Sequence, residues 1–322
     1  MSSDFSRALI FALLVVAALT AMNHRLLERD RAAPLERIVV PGARSGGPVP
    51  SGATGDRTAE LRVCADPNNL PFSNHKEQGF ENAIATLIAR ELGREVRYTW
   101  WPQRRGFVRN TLGADRCDLV MGVPEGYELL ETTEPYYRST YVFVTRHDSG
   151  LDIDSFDDVR LRDLRIGVHA VGDDYASVPP AQALAARGLA RNIRGYSIYG
   201  AYSEPDPPKE LIEAVASGEV DVAVAWGPLA GYFARRQPVA LDVRPVAAQA
   251  QAASLPMTFA ISIGVRRGDH ALRDSVEQAI ARRRSDIRAL LASYGVPLVD
   301  EEAMPYGTAP DEAQFAQAGE GS

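Results

Sequence analysis

Short apolar segments alternate with amphipathic ones from residue 61 to residue 226, and that order restricts the fold more than any other feature of the chain. LRVCA (61–65) reads as a buried strand. GFENAIATLIARELG (79–93) follows, with Ile84, Leu87, Ile88 and Leu92 on one helical face and Gly93 as the stop. REVRYTW (94–100) alternates as a strand should. Pro102 suits a first helical turn, which predicts a helix from there to about Leu112. CDLVMGV (117–123) and TYVFVT (140–145) are two further strands. A second series runs through LRIGVHA (164–170), a helix near PPAQALAARG, a strand near IRGYSIYG, the helix KELIEAVASG (209–218) and the strand DVAVAW (221–226). FAISIGVRR (259–267) and one long helix from His270 to Tyr294 close the pattern. Strand–helix–strand order with right-handed crossovers makes a parallel sheet covered by helices. The expectation is an α/β protein of two lobes, each a mostly parallel sheet flanked by helices.

The ends read differently. Arg7 precedes the apolar run ALIFALLVVAALTAM (8–22), about fifteen residues, shorter than the ~20 that span a bilayer. Residues 1–22 are expected to be a secretory signal, or else an uncleaved anchor. Residues 23–59, punctuated by Pro, Gly and Ser, read as a flexible linker, and 301–322 as a disordered tail.

WWPQRRGFVR (100–109) holds two of the three Trp of the chain beside three arginines. Nucleic acid is not the explanation: Lys+Arg is 35 against Asp+Glu 42, a net charge of -7. Two cysteines exclude a disulfide-rich scaffold and a four-thiolate zinc site, and the five His are scattered. Asp152, Asp154, Asp157 and Asp158 cluster in LDIDSFDDVRLRD. Clustered carboxylates suit a hard cation, but this loop lacks the central Gly and terminal Glu of an EF-hand. The simpler reading is that Asp154 or Ser155 caps a short helix. No G-x-S-x-G, P-loop or G-x-G-x-x-G is present, so neither an enzyme nor a cofactor site is expected.

LRVCADPNNLPFSN, GFENAIATLIARELG, CDLVMGV and PYYRSTYVFVTR, taken in order, resemble the type II periplasmic solute-binding proteins over about residues 60–297. WWPQRRGFVRNTL, CDLVMGVPEGYELL and AWGPLAGYFARR resemble the MxaJ/XoxJ-type proteins, solute-binding-like partners of quinoprotein (PQQ) methanol dehydrogenases that use calcium or a lanthanide. The resemblance implies periplasmic location and two lobes joined by a two-strand hinge: 60–145 with 258–300 as lobe 1, and 146–257 as lobe 2. Ligands of such folds sit where strand C-termini of both lobes face each other. The residues this places at the cleft are Asp66, Asn68, Asn69, Phe72, Trp100, Trp101, Arg104, Tyr136, Tyr137, Asp173, Tyr175 and Trp226. Asp66, Asn68 and Asn69 serve equally well as turn residues, and one of the two adjacent Trp as core packing. Cys64 and Cys117 would lie on neighbouring strands and form a disulfide in an exported protein, or else remain two buried thiols.

Amino-acid receptors of this fold place an Arg after the third strand to pair with the solute carboxylate. Here no Arg stands between Met121 and Arg138, while Glu125 and Glu128 would repel a carboxylate. Trp226 stands where an ammonium-binding Asp is common. Two functions remain. One is an accessory protein that docks the dehydrogenase, with its cytochrome c as a further contact. The other is a transporter's receptor for a non-amino-acid solute, for which the aromatic cleft would suit a small planar ligand.

Overall fold

Residues 59–104, 106–170, 178–198, 204–247 and 255–299 are described by the computed structural model. The predicted signal segment, the linker up to residue 58 and the tail lie outside these residues. In chain order the elements are β1 (Glu60–Ala65), β2 (Asn68–Asn69), β3 (Ser73–Asn74), α1 (Phe80–Glu91), β4 (Glu95–Trp100), α2 (Phe107–Asn110), β5 (Leu119–Pro124), β6 (Glu131–Thr132) and β7 (Tyr137–Arg146). They continue as β8 (Ile166–Ala170), α3 (Pro179–Ala186), β9 (Ile193–Ser197), α4 (Glu210–Ser217), β10 (Val222–Trp226), α5 (Gly227–Ala234), β11 (Leu241–Pro245), β12 (Thr258–Val265), α6 (His270–Arg282) and α7 (Arg284–Ser293). The strand order is β4-β1-β5-β12-β7-β10-β8-β9, with β11 also on β7 and β6 also on β12. Pairing is parallel at both ends of this order and antiparallel through β12 and β7.

β7 joins the two lobes. Its residues Tyr137–Thr140 pair with β12, and from Tyr141 onward it pairs with β10 and β11. Its side chains reach three separate cores: Tyr137 one, Val142 and Val144 the second, Phe143 the third. At β1 the pleat sends Leu61 and Val63 toward α1, α6 and α7, and Cys64 to the opposite face with Phe107, Leu112 and Cys117.

Three sequence expectations need correction. The helix predicted from Pro102 shrinks to the four residues of α2. The Asp66 carboxylate holds the Gln103 N–H at 2.6 Å, and Gly106 sits at φ 82, so the chain cannot turn helical before Phe107. The long helix 270–294 breaks at Arg283. Neighbouring residues of an unbroken helix point ~100° apart; the break lets Arg282 and Arg283 reach the same Glu91 carboxylate, at 2.6 and 2.7 Å. The buried stripe Val276, Ile280, Ile287, Leu291 keeps helical spacing across the break, which is why the sequence reads as one helix. In the acidic loop the cap is Asp158, which accepts the Arg160 N–H, rather than Asp154 or Ser155. Asp152, Asp157 and Asp158 each face a guanidinium, of Arg244, Arg187 and Arg160 respectively.

Candidate functional site

At the carboxyl end of β1 the chain turns into a tight hairpin, and Asp66 organises it. Its carboxylate accepts the N–H of Asn68 at 2.8 Å and of Gln103 at 2.6 Å, and its carbonyl accepts Ser73 Oγ at 2.8 Å. Asp66 is therefore a buried knot between the loops after β1 and β4 rather than an open cleft carboxylate. Asn68 reaches out of this hairpin: its Nδ2 donates to the Glu204 carbonyl at 2.8 Å and its Oδ1 accepts the Asp206 N–H at 3.1 Å. Leu70 is buried in the core formed by α4, α5 and β7. Asn69 closes the hairpin by pairing with Ser73.

Phe72 stacks edge-on against Phe80 at 5.3 Å, and Phe80 against Tyr137 at 6.0 Å and Tyr294 at 5.8 Å. Tyr136 is buried beside Tyr137, ring centroids 5.0 Å apart. Its hydroxyl approaches the Gly122 backbone without reaching hydrogen-bond geometry. Beneath these rings lies Glu81, in the first turn of α1 and only 7% exposed. Burial, reinforced by the charge of Asp66, pushes its carboxyl up to about 8. Sequence reasoning missed Glu81, yet it shares the apolar stripe with Ile84 and Ile88, and a carboxylate on such a stripe is the signal.

The adjacent tryptophans separate. Trp100 ends β4, stacks on Tyr98 at 4.6 Å and meets His75 at 4.9 Å. Trp101, on the other face, packs half-buried against the cluster of Cys64, Cys117 and Phe107, with the Arg116 guanidinium 4.9 Å above its ring. Arg104 is exposed in the turn before α2, where its carbonyl accepts the Phe107 N–H. Trp226 ends β10 in a three-ring cluster with Tyr141 and Phe259, at 5.4 and 5.9 Å. Trp101 thus packs with the disulfide cluster, whereas Tyr136 and Trp226 both pack against the core that holds Phe80, Tyr137 and Ile261. Asp173 and Tyr175 lie outside the described residues. The Cys64–Cys117 disulfide is formed, with Cα atoms 5.6 Å apart. A groove of about 700 Å³ beside the edge strand β9 is lined by Ala181, Ala185, Gly195 and Tyr196.

Residues 61–296 match the bacterial extracellular solute-binding proteins, family 3. The chain belongs to this family. Within it, the chain is of the MxaJ/XoxJ type. It is 32% identical to Protein MoxJ of Methylorubrum extorquens over 253 residues, 74% of this chain and 81% of that one. Against Protein MoxJ of Paracoccus denitrificans the identity is 29% over 249 residues, 75% of this chain and 90% of that one. The crystal structure of periplasmic binding protein XoxJ from Methylobacterium extorquens AM1 superposes with a TM-score of 0.62 at 38% identity, covering 75% of this chain and all (100%) of that one. In this chain Asn68 bonds the main chain of residues 204 and 206, and Leu70 packs in the core with Leu211 and Leu229.

Proposed function

We propose that this protein is a periplasmic accessory protein of a PQQ-dependent methanol or alcohol dehydrogenase, retaining the solute-binding fold for docking. The similarity to MoxJ and XoxJ over three quarters of the chain supports a role in methanol oxidation. The observation that carries the docking reading is Trp101, held half-buried over the disulfide cluster with Arg116 on its ring and Arg104 exposed nearby in sequence. Trp and Arg are the residues that most often dominate interface energy. Following the change of partners along β7, we assign residues 60–140 with 258–297 to lobe 1 and 141–247 to lobe 2. Trp101→Ala, checked for folding by circular dichroism, should bind the dehydrogenase at least about fivefold more weakly, or ~1 kcal/mol. A folded variant that binds normally removes Trp101 from the interface, and a wild-type protein that captures no quinoprotein from periplasm refutes the function.

A further inference from the structure

We propose that the lobes of this protein are latched closed by its own loop after β1, with Asn68 in the role that a solute plays in a receptor. A primary carboxamide offers one donor and one acceptor along a single edge, as a peptide unit does. Asn68 uses both against the main chain of the other lobe, Nδ2 to the Glu204 carbonyl at 2.8 Å and Oδ1 from the Asp206 N–H at 3.1 Å. Asp206 stands at φ 55 and ψ 58, a left-handed conformation that L side chains seldom adopt, directly before the 3₁₀ turn Pro207–Lys209. Two residues beyond Asn68, Leu70 is 6% exposed, inserted among Leu211, Leu229, Tyr232 and Val142.

The same hairpin is fixed at its root to the first lobe. Asp66 ties it to Gln103, Phe72 packs on Phe80, and Asn82 Oδ1 accepts the Asn74 N–H at 3.3 Å. The loop is therefore anchored in one lobe and hydrogen-bonded and buried in the other. Tyr294 reinforces the closure: its ring stacks on Tyr232 at 5.8 Å, its hydroxyl donates to the Gln78 carbonyl at 2.8 Å, and it packs against the cores of both lobes. Opening would strip the Asn68 amide and the Leu70 side chain of these partners at once, and a free solute would compete with a partner tethered two residues away. The latch depends on the fold alone, not on which dehydrogenase, if any, the protein meets.

Hydrogen exchange and spin-label distances test it on the mature protein. The Asp206 amide should be protected in the wild type and exchange at least about tenfold faster in Asn68→Ala, while the Val224 amide inside β10 stays protected in both. Nitroxides at Arg97→Cys and Arg191→Cys should give one narrow distance distribution, with a longer population appearing on Asn68→Ala. Asn68→Asp, which keeps the size but turns an acceptor toward the Glu204 carbonyl, should behave like Asn68→Ala and serves if the alanine variant does not fold. Intrinsic-rate exchange of the Asp206 amide in the wild type, or distributions and exchange unchanged in the folded variants, would overturn the proposal.

Discussion

Glu81 occupies the space that any side chain at position 122 would need. A Cβ built on Gly122 overlaps Glu81 Oε1, and Gly122 lies at φ 70, so the position is closed to larger residues on both counts. The carboxyl is thereby held away from water beside Tyr136 and Tyr137, and it titrates at about 8 instead of 4.5. The folded protein keeps a proton that the unfolded chain releases near 4.5. The stability this group contributes is complete below that pH and is lost as pH rises through about 8. Glu81→Gln removes the dependence, so the stability of the variant relative to wild type should climb between pH 5 and 8, by at most ~1.4 kcal/mol per pH unit. Urea midpoints across that range are the measurement, and a constant difference between the two proteins contradicts the assignment.

His169 produces the opposite slope. Desolvation on β8 lowers its pKa from 6.5 to about 4, against the raising influence of its hydrogen bond to the Pro208 carbonyl. The unfolded chain takes up a proton below 6.5 that the folded protein refuses until about 4, so stability is lost as pH falls through this window. Nuclear magnetic resonance of the imidazole should show no titration above pH 5, and His169→Gln should flatten the acid limb of the stability curve. An imidazole that titrates near 6.5 in the folded protein would refute this.

The disulfide closes a loop with a sequence separation of 53. In the chain-entropy model such a link is worth about 4 kcal/mol. The paired variant Cys64→Ser with Cys117→Ser should be less stable by that order, and the unreduced, denatured wild type should release no titratable thiol. Two thiols per chain in that titration would mean the bond does not form in the native protein.

Gly231 tests the junction from the other side. A Cβ there would overlap the Gly295 carbonyl, where α5 meets the chain beyond α7. Gly231→Ala should cost about 1–3 kcal/mol through a backbone shift. Gly126→Ala, at a position with open space around it, reports only the penalty of its φ of 70. Equal and small losses in the two variants would show that the α5 contact gives way freely.

Free amino acids should not bind more tightly than millimolar. Trp226 is spent on Tyr141 and Phe259, and the junction is crossed by Asn68. Titration calorimetry with arginine, glutamine and glutamate is the check, and a micromolar isotherm for any of them would restore the receptor reading.

The strands and the apolar face of α1 were legible in the sequence because alternation and helical spacing report burial directly. The hairpin after β1 could be read as a cleft lining or as turn chemistry, but nothing local says that Leu70 finds its core among Val142, Leu211 and Leu229, far along the chain. Trp100 and Trp101 could be placed at a strand end but not assigned to opposite faces of the sheet. α2 shrank because a tertiary hydrogen bond from Asp66 outweighed the preference of Pro102 for a first turn. The disulfide was readable as one of two alternatives, from the expected neighbourhood of the first and third strands and an oxidising compartment, and the structure forms it.

A single strand, Tyr137–Arg146, contributes side chains to three cores. One residue inserted or deleted within it would turn every following side chain to the wrong face, exchanging Val142 and Val144 for Phe143 and Tyr141. The ten-residue length of β7 therefore holds the packing of both lobes in register at once.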